Sequence, residues 1–136
     1  MEHEEREASE GLSEQVEAIA RQVVDAGLAV HRVLGPGLLE SVYEHCMVYE
    51  LGQRRLAVRR QVPLPIVYKG AALDAGYRLD IVVGEAVILE IKSVETMSRL
   101  YEAQVLTYLR LSPFRLAFLM NFNVPLFKQG LKRYVR

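Results

Sequence analysis

One cysteine, three histidines and the absence of any long apolar run set aside several kinds of protein at once. A lone Cys46 excludes an internal disulfide and any multi-cysteine metal site, and it suits a reducing compartment. The longest apolar stretches are a handful of residues, far short of the ~20 that span a bilayer. The opening MEHEERE has no apolar core, so no secretory signal is read there. His3, His31 and His45 lack metal-binding spacing, and no repeat is visible. The expectation is a soluble cytoplasmic protein with no membrane partner. What is present is globular in character: 136 residues, 51% hydrophobic and 25% charged. A chain of this length buries roughly two-thirds of its unfolded surface, enough for a core without staples.

Net charge is zero, but unevenly spread. Residues 1–17 hold seven Glu and one Arg, so the remainder carries an excess of six basic side chains. Lys128, Lys132, Arg133 and Arg136 crowd the last nine positions. A moderately basic body is compatible with a polyanion, although on charge alone an ordinary solvated surface is preferred. Residues 1–12 read as an acidic segment expected to fray, and 13–136 as a single domain.

From Ser13 to Leu34, Val16, Ile19, Ala20, Val23, Gly27, Val30, His31 and Leu34 follow helical spacing, with Ser13 as N-cap. Gly35-Pro36-Gly37 breaks that helix, and a second is predicted from about Leu38 to Gly52 with Leu39, Val42, Tyr43 and Cys46 on one face. The two form an N-terminal helical hairpin. Leu56–Val62 and Leu64–Tyr68, interrupted by Pro63 and Pro65, read as edge strands, with a turn at Lys69-Gly70. Tyr77–Val83 and Val87–Lys92 are the clearest strands. Ser98–Leu111 has helical spacing, Leu116–Phe122 reads as a central strand and Gly130–Val135 as a final edge strand. The fold class is α/β (α+β) with a mixed sheet and one crossover helix.

Alternation puts Tyr77, Leu79, Ile81 and Val83 on one face and Arg78, Asp80 and Val82 on the other. In the next strand Val87, Leu89 and Ile91 oppose Ile88, Glu90 and Lys92. A three-residue loop at 84–86 sets Asp80 across from Glu90, whereas a two-residue loop at 84–85 pairs Asp80 with Leu89 and separates the carboxylates. Two carboxylates and an ammonium in one place suit metal-assisted hydrolysis. Mg²⁺ takes oxygen ligands, often one or two carboxylates with waters and a phosphate oxygen. Asp80 and Glu90 would be those ligands, and Lys92 would steady the charge that builds during attack. The plainer alternative is an exposed sheet face bearing a cross-strand ion pair, worth under ~1 kcal/mol.

Gln104 and Tyr108, four apart on the following helix, could hold a phosphate or a water; alone they read as a solvent-facing Gln and a half-buried Tyr. Glu40 sits in a first helical turn, where an anion is welcome, and could add a third carboxylate. Tyr43 reads as core. His31, on an apolar helix face, reads as a packing residue, and Cys46 as a small core residue rather than a nucleophile. The glycines at 35 and 37 are no phosphate loop, since no strand precedes them and no G-K-[ST] follows.

Taken together, G-x-G-x-x-E-x-x-Y at 35–43, Asp80, Glu90-Ile91-Lys92, Gln104-x-x-x-Tyr108, Asn121-Phe122 and Gly130…Arg133 resemble the GxxExxY protein family. That family is placed in the PD-(D/E)XK nuclease superfamily, near its RecB-like branch, and the similarity spans residues 14–136. The resemblance implies an α-β-β-β-α-β nuclease core and a Mg²⁺ site at Asp80 and Glu90, with Mn²⁺ as a substitute. It makes Lys92 the catalytic lysine, Glu40 the helix-borne acid and Gln104 with Tyr108 the Q-x-x-x-Y motif of RecB-type exonucleases. Leu79 stands where the superfamily name has Pro. Asn121 matches the family's N-F pair, with no chemical role assigned.

The resulting expectation is a small metal-dependent nuclease hydrolysing phosphodiester bonds, its partner DNA or RNA. Two alternatives are kept: a non-catalytic nucleic-acid-binding or accessory subunit, and a structural protein whose charged face merely solvates. So short a chain has little outside its core to build a channel, which points to small or single-stranded substrates, a homo-oligomer or a protein partner.

Overall fold

The computed structural model describes residues 11–136. The first ten residues of the predicted acidic segment, with His3, lie outside the described residues. Gly11 and Leu12 are held: the Gly11 carbonyl accepts from Arg115 Nη1 at 2.6 Å, and Leu12 packs on the core.

Helix α1 (Glu14–Leu34) begins where Ser13 Oγ accepts the Val16 N–H at 3.1 Å. It ends at Gly35, whose φ of +65° a side chain would resist and whose N–H bonds the His31 carbonyl. Helix α2 (Glu40–Gln53) packs against it. Then come β1 (Val58–Pro63), β2 (Ile66–Tyr68), β3 (Ala71–Leu73), β4 (Arg78–Val83) and β5 (Val87–Lys92). Helix α3 (Arg99–Leu111), β6 (Leu116–Asn121), a 3₁₀ turn (Phe127–Gly130) and β7 (Leu131–Val135) complete the order.

Five strands form one sheet in the order β1-β4-β5-β6-β7. Only β5 and β6 run parallel, and α3 is the connection between them, as a parallel pair requires. Helices α1 and α2 cover one face through Val23, Ala26, Met47, Ile81, Leu89 and Phe118. Helix α3 covers the other through Val105, Leu109, Val82, Ile88 and Leu119. The sheet is therefore buried on both sides, and β6 is apolar along nearly its whole length for that reason. This is the mixed α/β architecture expected. Among the described residues no helix is long and apolar enough to cross a membrane.

Three expectations are corrected. The stretch 64–68 is not an edge of the main sheet. Pro63 and Pro65 have no N–H to donate, so the ladder stops at Pro63; the Leu64 N–H instead bonds the Tyr77 carbonyl at 3.0 Å. Between those two residues β2 and β3 pair only with each other, an arm turning at Lys69-Gly70. The buried face of α2 is Tyr43, Met47 and Leu51, with Glu44, whereas Leu39 is the N-cap and 74% exposed. Last, alternation in β4 fails at Asp80: Leu79 packs with Val82 and Ile88 under α3, while Ile81 and Val83 face α1 and α2. Opposite Asp80, Gln61 has a φ of +48°, between the regular pairs Arg60↔Ile81 and Val62↔Leu79. A left-handed residue reverses the pleat, and both strands change faces there: Val58 packs with the first cluster and Val62 with the second.

Candidate active site

The hairpin register follows the three-residue loop. Val83 pairs with Val87, Val82 with Ile88 and Ile81 with Leu89, which sets Asp80 across from Glu90. There the ordinary ladder ends. The Asp80 N–H donates to Glu90 Oε2 at 2.8 Å, and the Ile91 N–H donates to Asp80 Oδ2 at 2.8 Å. Each carboxylate takes an amide hydrogen of the opposite strand. The face they share is not exposed: Glu90 is only 5% accessible. The surface ion-pair alternative is thereby corrected.

Burial is costly for such a pair. It pushes the Glu90 carboxyl well above its ordinary range, with the Asp80 charge adding to it; the Asp80 N–H and Lys92 pull the other way. Asp80 is raised as well, first by burial and then by the charges of Glu44 and Glu40, against the Ile91 N–H and Lys92. Oδ1 of Asp80 and Oε1 of Glu90 accept no hydrogen bond among the described residues, yet neither is sealed from solvent. Two hard oxygens with free lone pairs, on carboxylates that repel, fit a hard divalent cation completed by waters. Among the described residues, however, no three His, Cys, Asp or Glu side chains form a ready metal-binding group. Glu40 is thus not gathered with Asp80 and Glu90 as the three-carboxylate expectation had it.

Lys92 leaves β5 on the same side as Glu90. Its Nζ lies 4.5 Å from the centre of the Tyr101 ring and, among the described residues, makes no ion pair within 4 Å. Glu40, first in α2, accepts the Ser93 N–H at 3.3 Å, while Ser93 Oγ donates to the Leu38 carbonyl at 2.5 Å. These bonds pin the start of α2 to the end of β5. The helix-borne acid weighing most on Asp80 is Glu44 rather than Glu40, and Glu44 also bears on Glu90. Glu44 is 9% exposed and accepts from Gln61 Nε2 at 2.7 Å and Arg60 Nη2 at 3.3 Å. Sequence reasoning missed it. The available signal was its place four residues after Glu40, on the same helical face.

Gln104 and Tyr108 share a wall of an apolar cavity of about 290 Å³ between α3 and the β2–β3 arm. The Tyr108 hydroxyl is raised by burial and then by the charges of Glu90 and Asp80, so it lies within the field of the pair. Tyr43 is core, as its periodicity predicts: it stacks on Phe122 at 4.5 Å, donates to the Gly35 carbonyl and accepts from the Leu38 N–H. Asn121 now has a role. Its Nδ2 donates to the Val94 carbonyl at 2.9 Å and its Oδ1 accepts from the Val94 and Asn123 amides, clamping the chain that leaves β5. Gly130 lies against the Asn121 carbonyl, where a Cβ would collide.

His31 packs as expected, bonding the Val124 carbonyl at 2.8 Å between Phe122 and Phe127, and Cys46 is half-buried on the core. The basic C-terminal cluster is largely turned to the protein itself. Lys132 pairs with Glu102 at 2.9 Å, Arg133 with Glu17 at 2.6 Å, and Arg136 bonds the Phe114 carbonyl.

Comparison with known proteins adds one match. The model of a family described as the PD-(D/E)XK nuclease superfamily matches residues 17–134. No curated protein and no solved structure matches.

Proposed function

The chain belongs to the PD-(D/E)XK nuclease superfamily, and we propose that it is an active, metal-dependent nuclease with its centre at Asp80, Glu90 and Lys92. The observation that carries this is the Asp80–Glu90 pair, each acid fixed by an amide of the opposite strand and each keeping one oxygen open. Those two oxygens would hold Mg²⁺, with Mn²⁺ as a substitute. When bound, the cation supplies Lewis acidity to the phosphate and acidifies a water.

The remaining work falls to the chain. The amides of Asp80 and Ile91 orient the carboxylates, so little reorganisation is needed when charge develops. The Lys92 ammonium, held at the Tyr101 ring, stabilises negative charge on the attacking oxygen and the phosphate. Glu40 fixes the end of β5 through the Ser93 amide and adds negative potential. Gln104 and Tyr108 position the substrate beside the pair. The G-x-G-x-x-E-x-x-Y string at 35–43 and the Q-x-x-x-Y pair support assignment to the GxxExxY family and the RecB-like branch. The same reading expects a cytoplasmic site of action.

The test is cleavage of labelled single- and double-stranded DNA and RNA with Mg²⁺ or Mn²⁺. Wild type should cut at least one of them and Asp80→Ala none. Metal binding without cleavage of any substrate would leave the accessory-subunit reading in its place.

A further inference from the structure

Of the β2–β3 arm the sequence pattern predicts one strand and the turn at Lys69-Gly70, but neither β3 nor the pairing that lifts the arm off the main sheet, and nothing in the proposed chemistry uses it. It rises from the body between Leu64 and Tyr77 and is kept there by their backbone hydrogen bond and by the edge contact of Tyr77 with Tyr108, ring centres 6.1 Å apart. Between this arm and α3 lies the apolar cavity of about 290 Å³. Its rim is made of Tyr77 and Leu100, 42% and 63% exposed. Apolar and aromatic groups left open beside an apolar cavity mark a place where something is covered on binding.

Four features of the cavity restrict what that is. The volume is at the low end for ligand sites, about 300 Å³, so it admits one flat ring system and not a paired helix. Tyr77, which lines the cavity, is a partly exposed aromatic ring, a group suited to stacking. Gln104 brings one amide into the cavity wall with both its donor and its acceptor unused among the described residues, able to meet the edge of a heterocycle. Finally, Tyr108 is common to the cavity wall and to the electrostatic field of Glu90 and Asp80, so the cavity opens on the side of the carboxylate pair.

We infer that the cavity between the β2–β3 arm and α3 takes one unpaired nucleobase of a single-stranded nucleic acid, placing the adjoining phosphate at Asp80 and Glu90. This rests on the nuclease reading and adds the substrate class. A base in a duplex is stacked and paired and cannot enter, so the cavity selects single strands, and stacking makes it tolerant of base identity. At the tip of the arm, Tyr68 stands exposed with Lys69 Nζ 5.5 Å from its ring centre, an aromatic and a cation disposed for the next nucleotide.

The experiment is fluorescence anisotropy with a short labelled DNA single strand, intact or with abasic sites through its middle, in Ca²⁺ buffer. Wild type should bind the abasic strand about tenfold more weakly, the scale of one stacked base. Ala103→Phe fills the cavity from the exposed side of α3; it should bind the intact strand about tenfold more weakly and show no further abasic penalty. Leu100→Gln, which adds no bulk, should show a reduced penalty. An abasic penalty equal in wild type and both variants, or no binding of the intact strand by wild type, overturns the inference. Cleavage is read separately. If wild type cuts and Asp80→Ala does not, while the penalty ignores the cavity, the nuclease reading stands and this inference falls. A cavity-dependent penalty in a protein that cuts nothing supports the base-binding cavity and removes the nuclease reading.

Discussion

The two ends of the β4–β5 hairpin are built from the same strands and handle their backbone differently. At the loop end, Val83 faces Val87 and Val82 faces Ile88, all buried and joined in an ordinary ladder. Three residues along, the amides of Asp80 and Ile91 bond carboxylate oxygens instead. The first end is stable by default, since burying apolar side chains and pairing amides both favour it. The second buries two acids that repel, a costly arrangement sustained by two amide donors and a nearby cation. The apolar end supplies the ladder and the burial that offset the cost of the charged end.

The sharpest way to break this contrast is Glu90→Ala. Loss of one of the two open acids should lower cleavage by at least about a thousandfold and abolish the rise in melting temperature that Mg²⁺ or Mn²⁺ gives wild type. An undiminished metal response would place the site elsewhere. At the loop end, Leu89→Ala should cost about 3 kcal/mol in urea unfolding, as large-to-small core changes do. The fraction still folded should bind metal as wild type does, by calorimetry; a lost site would mean the ends are not separable. Next in size, Lys92→Ala should lower cleavage about a hundredfold while metal affinity is kept or increased, because a charged lysine has no lone pair to offer. Cleavage as fast as wild type would remove Lys92 from the mechanism.

The smallest effect is on pH dependence. Both acids have folded-state values above their unfolded ones, so the folded protein holds protons that the unfolded chain releases. Their contribution is fully present below the ordinary carboxylate range, near pH 4, and is lost as pH rises through the raised folded values. Metal-free wild type should therefore lose stability over that interval and level off above it. Asp80→Asn should flatten the slope and leave the metal-free melting temperature equal or slightly higher. Thermal melts across pH check it, and a slope unchanged in the variant would rule out this pair as its source.

Much of the candidate site's geometry was legible because short-range patterns carry it. The loop length determines register, and register alone decides whether Asp80 meets Glu90. The place of Lys92 two residues after Glu90 follows from the period of a strand. The face change at Asp80 was not legible, since it depends on a left-handed Gln61 in another strand. Glu44 escaped notice for a related reason. Its environment is made by Arg60 and Gln61, which no helical spacing brings to it.

What the sequence by itself determined was the local grammar: the Ser13-capped helix, the turn at Gly35, the paired strands around 84–86, and the acids and lysine along them. Each of these depends on neighbours a few residues away, through sterics, capping and alternation. Only the tertiary structure decided that α3 packs on the sheet through Val82, Ile88 and Leu119, that Asn121 clamps Val94, and that the β2–β3 arm stands over an apolar cavity. Those outcomes come from packing elements distant in the chain, where burial and shape select among arrangements that local preference leaves equally open.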